Sequence, residues 1–189
     1  MRKILLLLLS LTAFIGQSDA QVVGLKSNLL YSATASPNLG VEIGMGPQTT
    51  LDISAGFNPF KFSHNRQWRH WLVQPEFRWW TCERFGGHFL AGHLIGGGFN
   101  VGNVSFFPCS MWDALENNRL KGHAFGGGIG YGYAWMLGKH WNLEAQICVG
   151  VAYTDYDKAY CPKCGEIISH NDHIYYGPTK AAINLVYLF

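Results

Sequence analysis

The motif with the most obvious chemistry is Cys161-Pro-Lys-Cys164-Gly, followed closely by His170 and His173. Two thiolates and two imidazoles can close a tetrahedral zinc site. The spacing, C-x2-C-x5-H-x2-H, lacks the long gap that separates the two halves of a finger. In an oxidising compartment a Cys161–Cys164 disulfide is the favoured alternative. Redox catalysis by a C-x-x-C pair usually needs a helix N-terminus to lower the thiol pKa, and nothing nearby predicts one. Of the other cysteines, Cys82 falls in a short turn and Cys109 in a long loop on the opposite rim, so they cannot pair with each other. Cys148 reads as a small inward residue.

Eight histidines invite a hydrolase reading. His64 and His70 near Ser63, or His170 near Ser169 and Asp172, could be assembled into a lipid-modifying site. Triads are defined by geometry rather than adjacency, so ordinary loop histidines are the plainer reading. No catalytic residue and no cofactor are expected. The glycines from Gly126 to Gly132 do not fit G-x-G-x-x-G, and no G-x-x-x-x-G-K-[ST] is present. They read as strand glycines.

A second group of chemical residues is spread along the chain. Lys26, Arg78 and Lys180 stand with Glu42, Asp52, Glu76 and Glu144 on the polar faces of alternating segments. Three cations and four anions nearly cancel. Inside a barrel of about eight strands there is room for side chains and little else, and buried charges must pair. The expectation is a packed, salt-bridged lumen; a small ligand cavity beside the glycines is the alternative use of that space.

The elements that must position these charges follow from period-2 alternation. Val23, Leu25, Leu29 and Tyr31 face one way in the first segment. Leu39 to Met45, Leu51 to Phe57 and Trp71 to Trp79 follow, then a strand-like Gly87 to Asn100 whose two faces are not separable. Phe125 to Trp135, Leu143 to Tyr153 and Ala181 to Phe189 complete eight strands. Pro75 would remove a ladder hydrogen bond mid-strand, predicting a bulge or two shorter strands. Short links at Gly46-Gln48, Cys82-Gly86 and Gly138-His140 alternate with long ones at Asn58-Gln67, Val101-Lys121 and Tyr156-Ile174. Only the link around Ala35-Ser36-Pro37 breaks this contrast, which is that of outer-membrane barrels. Trp68, Trp71, Trp79, Trp80, Trp135 and Trp141, with Tyr131 and Tyr133, are expected at strand ends or on outward faces, where interfaces favour them.

Both ends of the chain agree. Met1-Arg2-Lys3, the apolar run Ile4 to Ile15 and Ser18-Asp19-Ala20 read as a secretory signal peptide, residues 1–20, cleaved after Ala20. The barrel domain would then be residues 21–189. Without Arg2, Lys3 and Asp19 the 14 Lys and Arg become 12 and the 12 Asp and Glu become 11, a balance that argues against nucleic acid. With 15% aromatic and only 14% charged residues, the composition suits a barrel facing lipid. The terminal face Ala181, Ile183, Leu185, Tyr187 and Phe189 is too apolar to fray in water. Tyr187 and the terminal Phe189 read as a signal for the outer-membrane assembly machinery.

Several stretches resemble an uncharacterised family of Bacteroidales outer-membrane proteins, the domain of unknown function numbered 3575. They are VGLKSNLLYSATASPNLGVEIG (23–44), HWLVQPEFRWW (70–80), WNLEAQ (141–146), YDKAYCPKCGE (156–166) and YYGPTKAAINLVYLF (175–189). The resemblance implies a small barrel similar to the OmpA/OmpX type, with some members linked to fimbria-producing loci, and supplies no catalytic residues.

The expectation is therefore an all-β, eight-stranded antiparallel up-and-down transmembrane β-barrel in the outer membrane of a Gram-negative bacterium. Its partners would be outer-membrane lipid, the barrel-assembly machinery and a surface or periplasmic protein. A soluble lipocalin-like barrel holding a hydrophobic ligand is the alternative, with the charges outside; a lipid-modifying outer-membrane enzyme is a third reading.

Overall fold

The structure is a computed structural model that describes residues 23–59, 67–102, 119–159 and 167–189. The signal peptide expected over residues 1–20, the cysteines Cys109, Cys161 and Cys164, and His64 lie outside the described residues.

Eight strands are described: β1 Val23–Asn28, β2 Asn38–Gly44, β3 Thr49–Asn58, β4 Gln67–Trp80, β5 Gly87–Gly102, β6 Arg119–Met136, β7 Trp141–Ala159 and β8 Ile167–Leu188. Each pairs antiparallel with the next in the chain, and β8 returns to pair with β1. The result is one sheet closed into a ring, so neither terminal strand is left as a free edge along the seam. Strand length grows in chain order, from 6 residues in β1 to 22 in β8. One side of the ring is therefore much taller than the other. Among the described residues, no helix is long and apolar enough to cross a membrane.

Three local expectations are corrected. The first segment does not continue as a strand to Tyr31: a short helix, α1, occupies Leu29–Ala33. Asn28 caps it, its side chain accepting from the Leu30 amide at 3.0 Å, and this satisfies a donor the first helical turn would leave bare. Asn28 also ties α1 to β8, donating to Ala181 O at 3.4 Å and accepting from the Ile183 amide at 3.3 Å.

Pro75 neither bulges nor breaks its strand. On one side it lies opposite Ile53; on the other the register runs from Val73↔Gly96 to Glu76↔His93 with no inserted residue. A bulge occurs instead in β8. Cys148 pairs with Lys180 and Val149 with Pro178, so Thr179 is the extra residue. A bulge is where a sheet tolerates a proline without an N–H to donate.

From Gly87 to Leu94 the fifth strand does have separable faces, with Phe89, Ala91 and His93 inward and Leu90 and Leu94 outward; from Ile95 onward its burial does not alternate.

The ring is apolar on its outer face. Leu39, Ile53, Phe77, Leu90, Val149 and Ile183 are all exposed there, and Ile129 has 73% of its surface uncovered. Inside, the end with the short turns is filled by apolar side chains. Trp80, Phe89, Ala91 and Ala134 form one cluster, and Phe85, Val186 and Leu188 another. Phe85 belongs to the turn between β4 and β5 and adopts a left-handed φ of 64°. That conformation is costly for a bulky residue. The Asn142 amide donates to its carbonyl at 2.6 Å, and the ring fills the end of the interior. Trp80, expected at a strand end or on an outward face, does end β4, and there it is fully buried and donates through Nε1 to Thr50 at 2.9 Å. Strand parity accounts for this: Trp79 faces out, so its neighbour must face in.

Candidate functional site

Above the apolar end, seven charged side chains from six strands converge in the interior. They are Lys26 on β1, Glu42 on β2, Asp52 on β3, Glu76 and Arg78 on β4, Glu144 on β7 and Lys180 on β8. All are buried. Alternation brings them to one face of each strand, and closure brings the strands to one another.

Arg78 is the hub. Its Nε donates to Glu76 Oε1 at 2.6 Å. Nη1 reaches Glu42 Oε2 at 3.0 Å and Glu144 Oε2 at 2.9 Å, and Nη2 reaches Gln146 Oε1 at 3.0 Å. The guanidinium also lies over the Phe89 ring, 4.5 Å from its centroid. A planar fork with several fixed donors suits this many acceptors, whereas an ammonium would not reach them all.

Lys26 donates to Glu42 and lies 3.5 Å from Glu144 and 3.7 Å from Asp52. Lys180 donates to Glu76 Oε2 at 2.8 Å and lies 3.9 Å from Asp52. Neutral partners add to the shell: Thr50 to Glu42, Ser54 to Asp52 at 2.8 Å, and Asn184 to Glu144 at 3.3 Å, while among the described residues Asp52 Oδ1 and Glu144 Oε1 have no hydrogen-bond partner. In a low-dielectric interior such partners are what make buried charges tolerable.

Between this network and the α1 end lies a cavity of about 20 Å³, lined in part by Lys26, Asn38, Leu72, Gln74 and Lys180. That volume holds about one water and no organic ligand.

The remaining candidates are scattered. His170 and His173 lie in β8 rather than in a loop. Residues three apart on a strand point to opposite faces, so these two histidines cannot share one ion. His170 is exposed and faces β7, its Nδ1 3.0 Å from Asp157 and its Nε2 3.2 Å from Asp155. Its ring nitrogens are thus engaged by neither Ser169 nor Asp172. Tyr187 packs edge-on against Trp141 and Phe189, with both ring centroids 5.0 Å away. Phe189 is exposed, and its amide donates to Val23 O at 3.1 Å. Cys82 is exposed and Cys148 buried, both as free thiols.

His93 escaped the sequence reading. It is buried beside Glu76, its cross-strand partner on β4, and among the described residues neither ring nitrogen has a hydrogen-bond partner. Counting inward parity forward from Phe89 reaches it; the run Gly96-Gly97-Gly98 hid that parity. Gln146 and Asn184, also structural members of the network, sit on polar faces that parity does predict.

No curated protein and no solved structure matches the chain. The family model described as "protein of unknown function (DUF3575)" matches residues 4–189, and the chain belongs to that family.

Proposed function

We propose that the protein is a small outer-membrane β-barrel of a Gram-negative bacterium, akin to the OmpA/OmpX type, that acts as an anchor or surface-contact protein and not as an enzyme. The observation that carries this reading is the inversion of the ring, with ion pairs inside and an apolar belt outside. A soluble protein of this size hides its apolar side chains and solvates its charges. A lipocalin-like carrier would need the opposite arrangement from the one present.

The belt has the right height. Near the short turns its outward aromatics are Trp79, Trp135, Trp141 and Tyr187; farther up the same strands stand Trp71, Phe125, Tyr153 and Tyr176. The two sets are separated by 8 to 12 residues along each strand. A tilted strand needs about 9–11 residues to cross the hydrocarbon core, and aromatic girdles mark its two interfaces. The short turns would then face the periplasm, and the tall side of β6, β7 and β8 would rise beyond the outer leaflet. Outer-membrane lipid and the barrel-assembly machinery are the partners this placement requires. A surface or periplasmic protein would be met at the rims. A Bacteroidales source and a link to fimbrial assembly rest on the resemblance alone.

Membrane fractionation tests the proposal. The protein should stay in the pellet through high salt and alkaline carbonate and leave it only with detergent. Release by carbonate alone would overturn the reading.

A further inference from the structure

Glu76, His93 and Cys148 form a second cluster within the interior. All three are buried, and one ligand atom from each lies within 4.8 Å of the other two. We propose that they bind a borderline divalent metal ion of the zinc class, with the site's fourth position left to a small ligand or water.

The sheet is arranged to make this contact. His93 on β5 is the direct cross-strand partner of Glu76 on β4. Cys148 lies on β7, with β6 between it and His93. Strands two places apart are about 10 Å apart at the backbone, so an ordinary side chain on β6 would fill the gap. Glycine stands there instead: Gly128 faces His93, and Gly130 faces Cys148. A Cβ on Gly130 would come 2.2 Å from Cys148 Sγ. The glycine therefore lets the sulfur lie back across β6 toward the imidazole.

Donor chemistry points the same way. Thiolate, imidazole and carboxylate together are a zinc-type set. Ligand atoms around such an ion lie about 3.5 Å apart, so the cluster closes with about 1 Å of side-chain movement. His93 can make it, because neither of its nitrogens is held by another group. Gln146 touches the other two ligands, of which Glu76 is also held by Arg78 at 2.6 Å and Lys180 at 2.8 Å. Gln146 Nε2 donates to Glu76 Oε2 at 2.8 Å and to Cys148 Sγ at 3.1 Å, while its Oε1 is fixed by Arg78 at 3.0 Å. Partners of this kind orient metal ligands.

Charge balance supplies an independent argument. The network's three cations and four carboxylates leave one uncompensated negative charge, buried from water. Binding a divalent ion releases the Cys148 thiol proton to solvent and leaves a thiolate. One residual carboxylate charge and one thiolate charge then balance the two positive charges of the ion. The site lies inside the ring, so the inference does not depend on what surrounds the outer face.

Cobalt substitution tests it. The protein with Cys82, Cys109, Cys161 and Cys164 all changed to Ser, which leaves Cys148 as its single thiol, is unfolded and refolded into detergent with Co²⁺. One equivalent should bind, with a thiolate-to-cobalt charge-transfer band and tetrahedral-type visible bands. Cys148→Ser should abolish the charge-transfer band. His93→Gln, which keeps the volume and all seven network charges, should weaken binding at least tenfold. Gln146→Met should weaken it by about 10–100-fold, as loss of a group orienting the ligands does elsewhere. Folding of each variant is checked by circular dichroism and by heat-dependent mobility on a gel. A refolded parent with no charge-transfer band would overturn the proposal, as would a folded His93→Gln that binds cobalt as tightly as the parent. Should Cys148→Ser fail to fold, Cys148→Ala and the His93→Gln affinity carry the test.

Discussion

Arg78 shows what one residue does in this interior. It donates to three carboxylates and one amide and covers an aromatic face. Its removal leaves Glu42 and Glu144 with fewer partners in a site closed to water. Truncating one member of a buried ion pair costs about 3–5 kcal/mol. We expect Arg78→Met to destabilise the ring by that amount and Arg78→Lys to recover only part of it, because a point charge cannot serve four acceptors. Urea titration of the detergent-solubilised protein measures both. Equal stability of the methionine variant and the parent would remove Arg78 from the role of hub. The charges themselves were legible in the sequence, because a strand alternates with period 2 and each of them falls on the parity opposite its segment's outward apolar face. Their pairing was not. Arg78 and Glu144 are 66 residues apart, and which of four anions meets which cation is set by register and closure. The inward direction of Trp80 at the end of β4 follows from the same parity, since Trp79 faces out.

At the scale of elements, β7 and β8 carry a pH-sensitive contact beyond the proposed membrane belt. The hydrogen bond to Asp157, with the nearby charge of Asp155, raises the His170 pKa above its ordinary 6.5. The folded pKa is the higher one, so the contribution to pairing is fully present below the unfolded value. It is lost as pH rises through the folded value. The histidine should therefore titrate by NMR with a midpoint above 6.5, and Asp157→Asn should bring it back down. Amide exchange at the outer end of β7–β8 should quicken over the same rise in pH; a midpoint at or below 6.5 would contradict this account. The other end of β8 makes a different prediction. Deleting Phe189 removes an exposed aromatic ring and the last amide bond to Val23 O. In cells the truncated chain should accumulate in the periplasm or be degraded, as seen by fractionation and blotting. Normal membrane assembly would show that the terminus is not read. Helix α1 was the element least visible beforehand. Leu29-Leu-Tyr-Ser-Ala33 carries no helical period, and its only signal is the capping Asn28.

The whole molecule was legible to the extent that turn lengths and parity dictate it. Three short links and three long ones fixed an up-and-down order, and an even strand count returned the chain to its starting rim. The gradient in strand height was not legible. Strands lengthen at the ends that meet the long links, where polar and apolar residues mix and no pattern marks the stop. The place of this bulge was hidden for a related reason: Pro75 and Pro178 look alike in a sequence, and only the register shows that the ladder shifts beside Pro178 and not beside Pro75.

The height gradient has a mechanical side. β1 meets β8 over five residue pairs and β2 over four, whereas β6 and β7 share eighteen. If the ring parts anywhere, it parts sideways along β1, where the fewest backbone bonds must break together, and the joint with β8 is one of its two short seams. Lys26 sits on β1 at this joint and reaches Glu144 on β7, on the far side of it. The interior ion pairs thus act as a bolt across the gap between the first strand and the last, and Asn28 pins the same gap from above. A ring this uneven is held shut less by its ladder than by what it encloses.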